Sequence, residues 1–319
     1  MSADPFPSSN PAVVTCGLPY ANGNLHIGHM RTYVSGDTLS RSLRKLGQTT
    51  AFVCGSDMHG TPVAVNAWRE GKPPKEFALS WHEKYKQTFL GMSIEFDNYG
   101  HTDDEVNTLL TREIVRTLDA SNHIYDKDIL VAWDPLEDQP LPDRYVEGVC
   151  PHCGANARGD ECDDGCQRHL EPGEILNPKS IITGNEAEYR NKSHKFFRIS
   201  DFQDYLQEFI NRLEGTTNAK NQPREWIEGS LHDWCITRNI DWGISYPGEE
   251  ETDLVLYVWV DAVVEYISST KQYSDRVGSD LFDWESAWKK NGEIIHVIGR
   301  DIIQHHAVFW PAMLYGAGF

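Results

Sequence analysis

Residues 11–30, PAVVTCGLPYANGNLHIGHM, decide the architecture. The run Val13 to Leu18 is short, apolar and β-branched, and it breaks at Pro19 and at the Asn22-Gly23 pair, as a strand ending in a turn should. Beyond the turn, Leu25, Met30, Val34, Leu39, Leu43 and Leu46 recur at mostly helical intervals until Gly47, a residue suited to the position just past a helix end. TTAFVCGSD (49–57) then reads as a second strand that stops in another glycine-containing turn. Strand, helix and strand in that order imply a right-handed parallel crossover.

Outward from this unit, PPKEFALSWHEKYKQTFLGM (73–92) and DDEVNTLLTREIVRTLDASN (103–122) read as helices. Composition then shifts to proline and charge in WDPLEDQPLPDRYVEG (133–148), and helical patterning resumes only at SDFQDYLQEFINRLEG (200–215). DLVLYVWVDAVVEYIS (253–268) and EIIHVIGRDIIQHHAVFWPAMLYGAGF (293–319) each read as a strand running into a helix. The expectation is an α/β fold in which the two halves of one parallel sheet, residues 1–122 and 251–319, flank an inserted module at 123–250. The length of 319 residues and the 11% aromatic share exclude a disordered chain, and no apolar run is long enough to span a membrane. The opening residues lack the layout of a secretion signal, so the chain is expected to be soluble and cytoplasmic.

Lys and Arg total 29 against 48 Asp and Glu, a net charge of −19. Such a surface repels phosphate backbones and excludes broad, sequence-independent nucleic-acid binding. Four of the seven cysteines, Cys150, Cys153, Cys162 and Cys166, are spaced C-x2-C, eight residues, C-x3-C. Thiolates paired on two short turns suit a tetrahedral zinc ion, with unpaired thiols as the alternative. Four thiolates leave no open position, so the ion would be structural. Asp163, Asp164 and Gly165 widen the second turn, and His152, His169 and Asp163 stand nearby as substitute ligands.

His26 and His29 bracket Gly28 at the start of the first helix, where unpaired backbone N–H groups and the positive dipole end favour phosphate. Two histidines in a turn are otherwise ordinary surface residues. At this point the sequence resembles the class I aminoacyl-tRNA synthetases, and among them the methionyl-tRNA synthetases. The resemblance rests on TCGLPYANGNLHIGH (15–29), GSDMHGTP (55–62), LPDRYVEGVCPHCG (141–154), YVWVDA (257–262) and VIGRDIIQHHAVFWPAML (297–314), and runs from Pro11 to Phe319. The acidic surface is similar to that of salt-adapted archaeal members.

The resemblance implies a Rossmann-type catalytic domain, split by a zinc-knuckle connective module, that activates L-methionine with magnesium-bound ATP and passes it to tRNA(Met). His26, His29 and Arg300 match the catalytic positions. Asn22, Gly28, Gly299 and Asp301, with the two histidines, match the ATP site. Leu18, Tyr20, Asp57, Trp259, Ala262, Tyr266 and His306 match the methionine site, Asp57 receiving the ammonium. On the residues alone, Asp57 could equally cap the next helix, Trp259 and Tyr266 could be plain core, and His306 could be structural.

Three departures accompany the match. Arg300 replaces a usual lysine, which keeps the charge but changes its geometry. Val263 replaces a usual proline, an expected loosening of the pocket wall. Family members also continue past Phe319 into a lysine- and serine-containing loop and a helical anticodon-binding domain. The expectation is therefore a catalytic half, completed within a longer chain or by a separate one, with one zinc at most. A truncated paralogue that binds methionine or an adenylate without turnover is the alternative, and a different nucleotidyltransferase of the same fold is a third reading.

Overall fold

The computed structural model describes residues 8–142, 145–159, 162, 164–166, 170, 173–229, 231–248 and 253–319. The N-terminal stretch alternates strand and helix: β1 (Ala12–Cys16), α1 (Ile27–Lys45), β2 (Thr50–Ser56), α2 (Thr61–Arg69), α3 (Pro74–Gly91), β3 (Asn98–His101) and α4 (Glu105–Ala120). Strands dominate next, with β4 (Ile124–Asp134), β5 (Gln139–Pro140), β6 (Val146–Val149), β7 (Asn156–Arg158), β8 (Leu176–Ser180) and β9 (Glu188–Phe197). There follow α5 (Gln203–Arg212), α6 (Thr217–Glu228), β10 (Trp234–Cys235) and β11 (Thr237–Arg238). The last stretch holds β12 (Val255–Leu256), α7 (Val258–Ala262), α8 (Glu265–Val277), α9 (Trp284–Lys289), β13 (Glu293–Val297) and α10 (Trp310–Gly316).

The central sheet is parallel throughout, in the order β13-β1-β2-β3. Ala12 pairs with Thr50 on one side and with Glu293 on the other, so the start and the end of the chain meet in one sheet. Every residue of β1 and β2 is buried, which their continuous apolar runs require of strands covered on both faces. The helix after β1 ends with Leu46 as its cap and Gly47 at φ +95°, as expected.

Its inward face differs from the leucine-based expectation: Met30, Tyr33, Gly36, Ser40 and Leu43 are buried, while Val34 and Leu46 are exposed. The cause is close packing. A Cβ on Gly36 would stand 2.5 Å from Cys16 Sγ and 3.0 Å from the Phe52 ring, so small residues let α1 lie directly on the sheet.

DLVLY also differs from its sequence reading. Only Val255 and Leu256 form a strand, and they pair antiparallel with Arg238 and Thr237, outside the parallel sheet. A buried apolar run looks alike whether it becomes strand or helix, and here it turns into α7 at Val258. Of the two later strand readings, only β13 joins the main sheet.

Among the described residues, three antiparallel sheets interrupt the parallel one: the β11-β12 pair, β10-β9-β4-β5, whose long arms pair from Ile124–Phe197 to Trp133–Glu188, and β7-β6-β8 around the cysteines. The cysteine-bearing sheet has its own core, including Leu141, Val146, Cys150, Cys162, Leu170 and Ile175. From Phe197 onward, Ile199, Phe202, Leu206, Ile210 and Ile227 instead share one core with Leu118, Tyr266 and Trp310.

Candidate active site

The loop from β1 to α1 is held by two tyrosines from neighbouring helices. The Tyr33 hydroxyl donates to the Gly17 carbonyl at 3.0 Å, and the Tyr85 hydroxyl lies 2.7 Å from the Tyr20 carbonyl and 2.5 Å from that of Gly23. Within the loop, the half-buried Asn22 donates its backbone N–H to the Tyr20 carbonyl at 2.8 Å.

At the helix start His26 is the N-cap. Its Nδ1 accepts the Gly28 N–H at 3.1 Å, while His29 Nδ1 accepts the His26 N–H at 3.2 Å, a reciprocal capping box. An Nδ1 that accepts leaves the proton of a neutral ring on Nε2. The pair, with ring centroids 3.9 Å apart, thus carries two Nε2–H donors at a helix N-terminus. Burial, and then the neighbouring His26, lower the His29 pKa and favour that neutral ring. Gly28 serves the histidine first: a Cβ there would stand 2.9 Å from the His26 ring.

Asp57 follows β2 and ties its end to the same loop. The Asp57 N–H donates to the Pro19 carbonyl at 2.9 Å, and the Ala21 N–H donates to the Asp57 carbonyl at 2.8 Å. The next helix is capped by Gly60, so Asp57 does not act as its cap. Its side chain is 2% exposed, its Oδ1 has no hydrogen-bond partner, and burial, then Asp261, push its pKa well up. Behind it, His59 Nδ1 lies 2.5 Å from Asp261 Oδ2. Sequence reasoning missed His59 and Asp261 as site residues, although both stand in the quoted strings GSDMHGTP and YVWVDA. A histidine and an aspartate placed among residues that read as buried were the available signal.

Tyr266 and His306, both buried, come from the second half of the chain. His306 Nδ1 lies 2.9 Å from the Ile302 carbonyl, which can only accept, so His306 Nε2 accepts the Tyr266 hydroxyl at 2.9 Å. Burial lowers the His306 pKa to about 4, and burial with the neighbouring His306 lowers that of His305 to about 3, so both rings are neutral. The two histidines sit on a π-helical turn, His305–Phe309, an irregularity frequent at functional sites. Trp259 is half-buried and stacks on His305 with centroids 4.0 Å apart and planes 4° from parallel. Ala262 is buried, and Leu18 packs against the same core as Trp259 and Tyr266. Val263 and Val264 are buried with φ −74° and −68°, so α7 runs into α8 through helical backbone.

Gly299, Arg300 and Asp301 form the turn after β13, and the last two are exposed. Arg300 faces Asn218, Asn221, Gln222 and Glu225 of α6 across an open groove. Among the described residues, contacts join Tyr20 to Asp57, and Tyr266 and Trp259 to His306. No side-chain bond links Arg300 or Asp301 to His26 or His29.

A family model described as tRNA synthetases class I (M) matches residues 12–319. The chain belongs to this family of class I synthetases. It is 65% identical over 338 aligned positions to the methionine–tRNA ligase of Haloarcula marismortui and 66% identical over 325 to that of Natronomonas pharaonis, covering 100% and 98% of this chain. The chain spans about half the length of these curated relatives, 47% in both cases. Among solved structures, Mycobacterium tuberculosis methionyl-tRNA synthetase in complex with methionyl-adenylate aligns with TM-score 0.72 and 26% identity, over 97% of this chain and 55% of that one. The Rossmann-type class I architecture is thus shared along nearly the whole chain.

The four cysteines of the inserted segment gather as a class I synthetase knuckle would need. Their Sγ atoms all lie within 4.8 Å of one another, with Cys150–Cys166 at 3.8 Å and Cys153–Cys162 at 3.5 Å. A tetrahedron with metal–sulfur bonds of about 2.3 Å has edges of about 3.8 Å, so one metal ion fits the set. Gly165 makes the wider second turn possible, because a Cβ there would stand 2.7 Å from Cys153 Sγ and 2.9 Å from Cys162 Sγ. His152 is exposed and outside the cluster, while Asp163 and His169 lie outside the described residues.

Proposed function

We propose that this chain is the methionine-activating part of a methionine–tRNA ligase. It binds L-methionine and magnesium-bound ATP and joins them as methionyl-adenylate, and the whole protein transfers the methionyl group to tRNA(Met). One observation carries this reading. The His26–His29 capping box and the Asp57 carboxylate, whose Oδ1 has no hydrogen-bond partner, follow the carboxyl ends of adjacent parallel strands, beside β13, where ligands bind open α/β sheets.

In the proposed reaction a methionine carboxylate oxygen attacks the α-phosphorus of ATP, and the bond to the β-phosphate breaks to release pyrophosphate. The Nε2–H groups of His26 and His29, with Arg300, meet the charge that develops on the phosphates. Asn22, Gly28, Gly299 and Asp301 border the nucleotide. Asp57 takes the ammonium, while Leu18, Tyr20, Trp259, Ala262, Tyr266 and His306 enclose the thioether side chain, for which aromatic faces are suited partners.

Zinc is the metal we propose for Cys150, Cys153, Cys162 and Cys166, since a closed set of four thiolates matches a structural zinc site. Residues 1–122 and 251–319 would form the catalytic domain and 123–250 the connective module; the separate core around the cysteines supports a distinct unit there, whereas Phe197 to Tyr246 pack into the core of the two catalytic halves. With a net charge of −19, this chain is a poor general partner for tRNA. Most tRNA(Met) contacts would come from the remainder of the protein, whether in one polypeptide or in a separate chain. No helix among the described residues is long and apolar enough to cross a membrane, which fits a cytoplasmic synthetase.

The ligase reading is favoured over a binding-only paralogue because the catalytic histidines, the ammonium carboxylate and the pocket residues are all retained. The test is exchange of labelled pyrophosphate into ATP. Exchange that requires methionine and ignores leucine or isoleucine is expected. Methionine binding without any exchange by the complete protein would instead establish the binding-only reading.

A further inference from the structure

A row of alternating charges runs inward from the surface toward Asp57. Lys75 Nζ lies 2.8 Å from Asp103, Asp103 lies 3.5 Å from His59 Nε2, and His59 Nδ1 lies 2.5 Å from Asp261. The Lys75 side chain is 61% exposed and that of Asp103 19%, whereas those of His59 and Asp261 are 3% and 1% exposed. Beyond Asp261 the alternation breaks. Asp57 is a second buried carboxylate that feels Asp261, and Oδ1 of each is buried without a hydrogen-bond partner. Two buried carboxylates beside one imidazolium leave the cluster short of one positive charge with N–H donors. Uncompensated buried charge is costly, so a cation that donates N–H bonds to these oxygens would stabilise the cluster.

We propose that His59 is a positioning residue that keeps Asp57 ionised for the substrate ammonium, and that Asp261 and Asp103 hold His59 in its charged form. This rests on the reading that Asp57 receives the methionine ammonium. Without the imidazolium, the two buried carboxylates, which repel each other, would be harder to ionise, and a protonated Asp57 offers the ammonium no charge.

Burial alone would push His59 down, but Asp261 and Asp103 outweigh it and raise its pKa to about 9, so it is cationic at neutral pH. The other groups bearing on the cluster do not replace it. Glu265 and Tyr266 face it from α8, and neither supplies positive charge. His101 approaches from β3 and is kept neutral chiefly by burial. The Trp242 ring stands edge-on to His59 at 5.1 Å and donates its indole N–H to the Met58 carbonyl at 2.5 Å. The charge on His59 lowers the Asp57 pKa, so its removal lets protons compete with methionine at higher pH.

The test is the methionine dissociation constant of the purified protein, measured by calorimetry between about pH 5.5 and 8.5, for the wild type, His59→Gln and Asp103→Asn. Taking the variant-to-wild-type ratio at each pH cancels the ionisation of methionine itself. For His59→Gln the ratio is expected to be several-fold above one at the acid end and to fall toward one as pH rises, because a raised Asp57 pKa weakens the variant most where protons are most abundant. Asp103→Asn should give a smaller ratio that falls with pH in the same direction, and it supplies the test if His59→Gln fails to fold. A ratio that is flat with pH, at one or at any other value, overturns the proposal and leaves His59 a packing residue. Wild-type protein that binds no methionine at any pH would sink the methionine reading itself, whereas a flat ratio with intact wild-type binding sinks only the role of His59.

Discussion

The Tyr266 hydroxyl donates to Nε2 of His306 at 2.9 Å, in a direction dictated by the Ile302 carbonyl on the other ring nitrogen. One bond thus links the helix after YVWVDA to the π-helical turn His305–Phe309, and both groups are buried. Tyr266→Phe would leave a buried imidazole nitrogen unpaired, and a stability loss of about 1–3 kcal/mol is expected. Urea unfolding measures it, with Trp259→Phe as a control that leaves the bond intact.

Glu265 fills the space left by Gly55 and Gly100, where a Cβ would collide with its carboxyl group. Burial raises its pKa from 4.5 to about 8, against hydrogen bonds from Ser268 and Ser269. The folded state therefore holds this proton more tightly than the unfolded chain. The resulting stabilisation is full below pH 4.5 and is lost as pH rises toward about 8. Glu265→Gln should flatten that part of the Tm-against-pH curve, and an unchanged slope would show that other groups cause it.

Gly28→Ala would place a methyl against the His26 ring, so it should disturb the capping box without touching the methionine pocket. The expected result is a lower rate of pyrophosphate exchange with methionine affinity held within about two-fold, since the pocket contacts are kept. A loss of methionine affinity to match the rate would contradict that separation.

Metal analysis should find one zinc ion per chain. Cys150→Ser should lower that content and destabilise the sheet around Leu141, Val146 and Ile175, because Cys150 is both ligand and core residue. Gly165→Ala should weaken zinc retention against a chelator while keeping all four thiols, which a free-thiol count on the denatured protein would verify.

The β1–α1 unit and its histidines were legible because strand pattern, turn residues and helix cap all lie within twenty residues of one another. The cysteine set was legible from spacing alone. What local patterning concealed was long-range. The packing face of α1 depends on Gly36 meeting Cys16 and Phe52, and DLVLY pairs with Thr237 and Arg238 in place of the central sheet. Two short elements were also hidden: α2, nine residues long, and β3, a four-residue half-buried strand without β-branched residues. His59 and Asp261 are 202 positions apart, so their bond is visible only once the fold closes.

The proposed chemistry divides between two neighbouring sites, His26 and His29 for the phosphates and Asp57 for the ammonium. The most direct measurement is methionine-dependent pyrophosphate exchange by His26→Ala, His29→Ala and Asp57→Ala, each with its methionine dissociation constant. The histidine variants should lose rate by about 100-fold, as loss of transition-state charge stabilisation does, with methionine affinity nearly unchanged. Asp57→Ala should lose methionine affinity directly. Equal losses of rate and affinity in all three variants, or methionine binding that ignores Asp57, would contradict it.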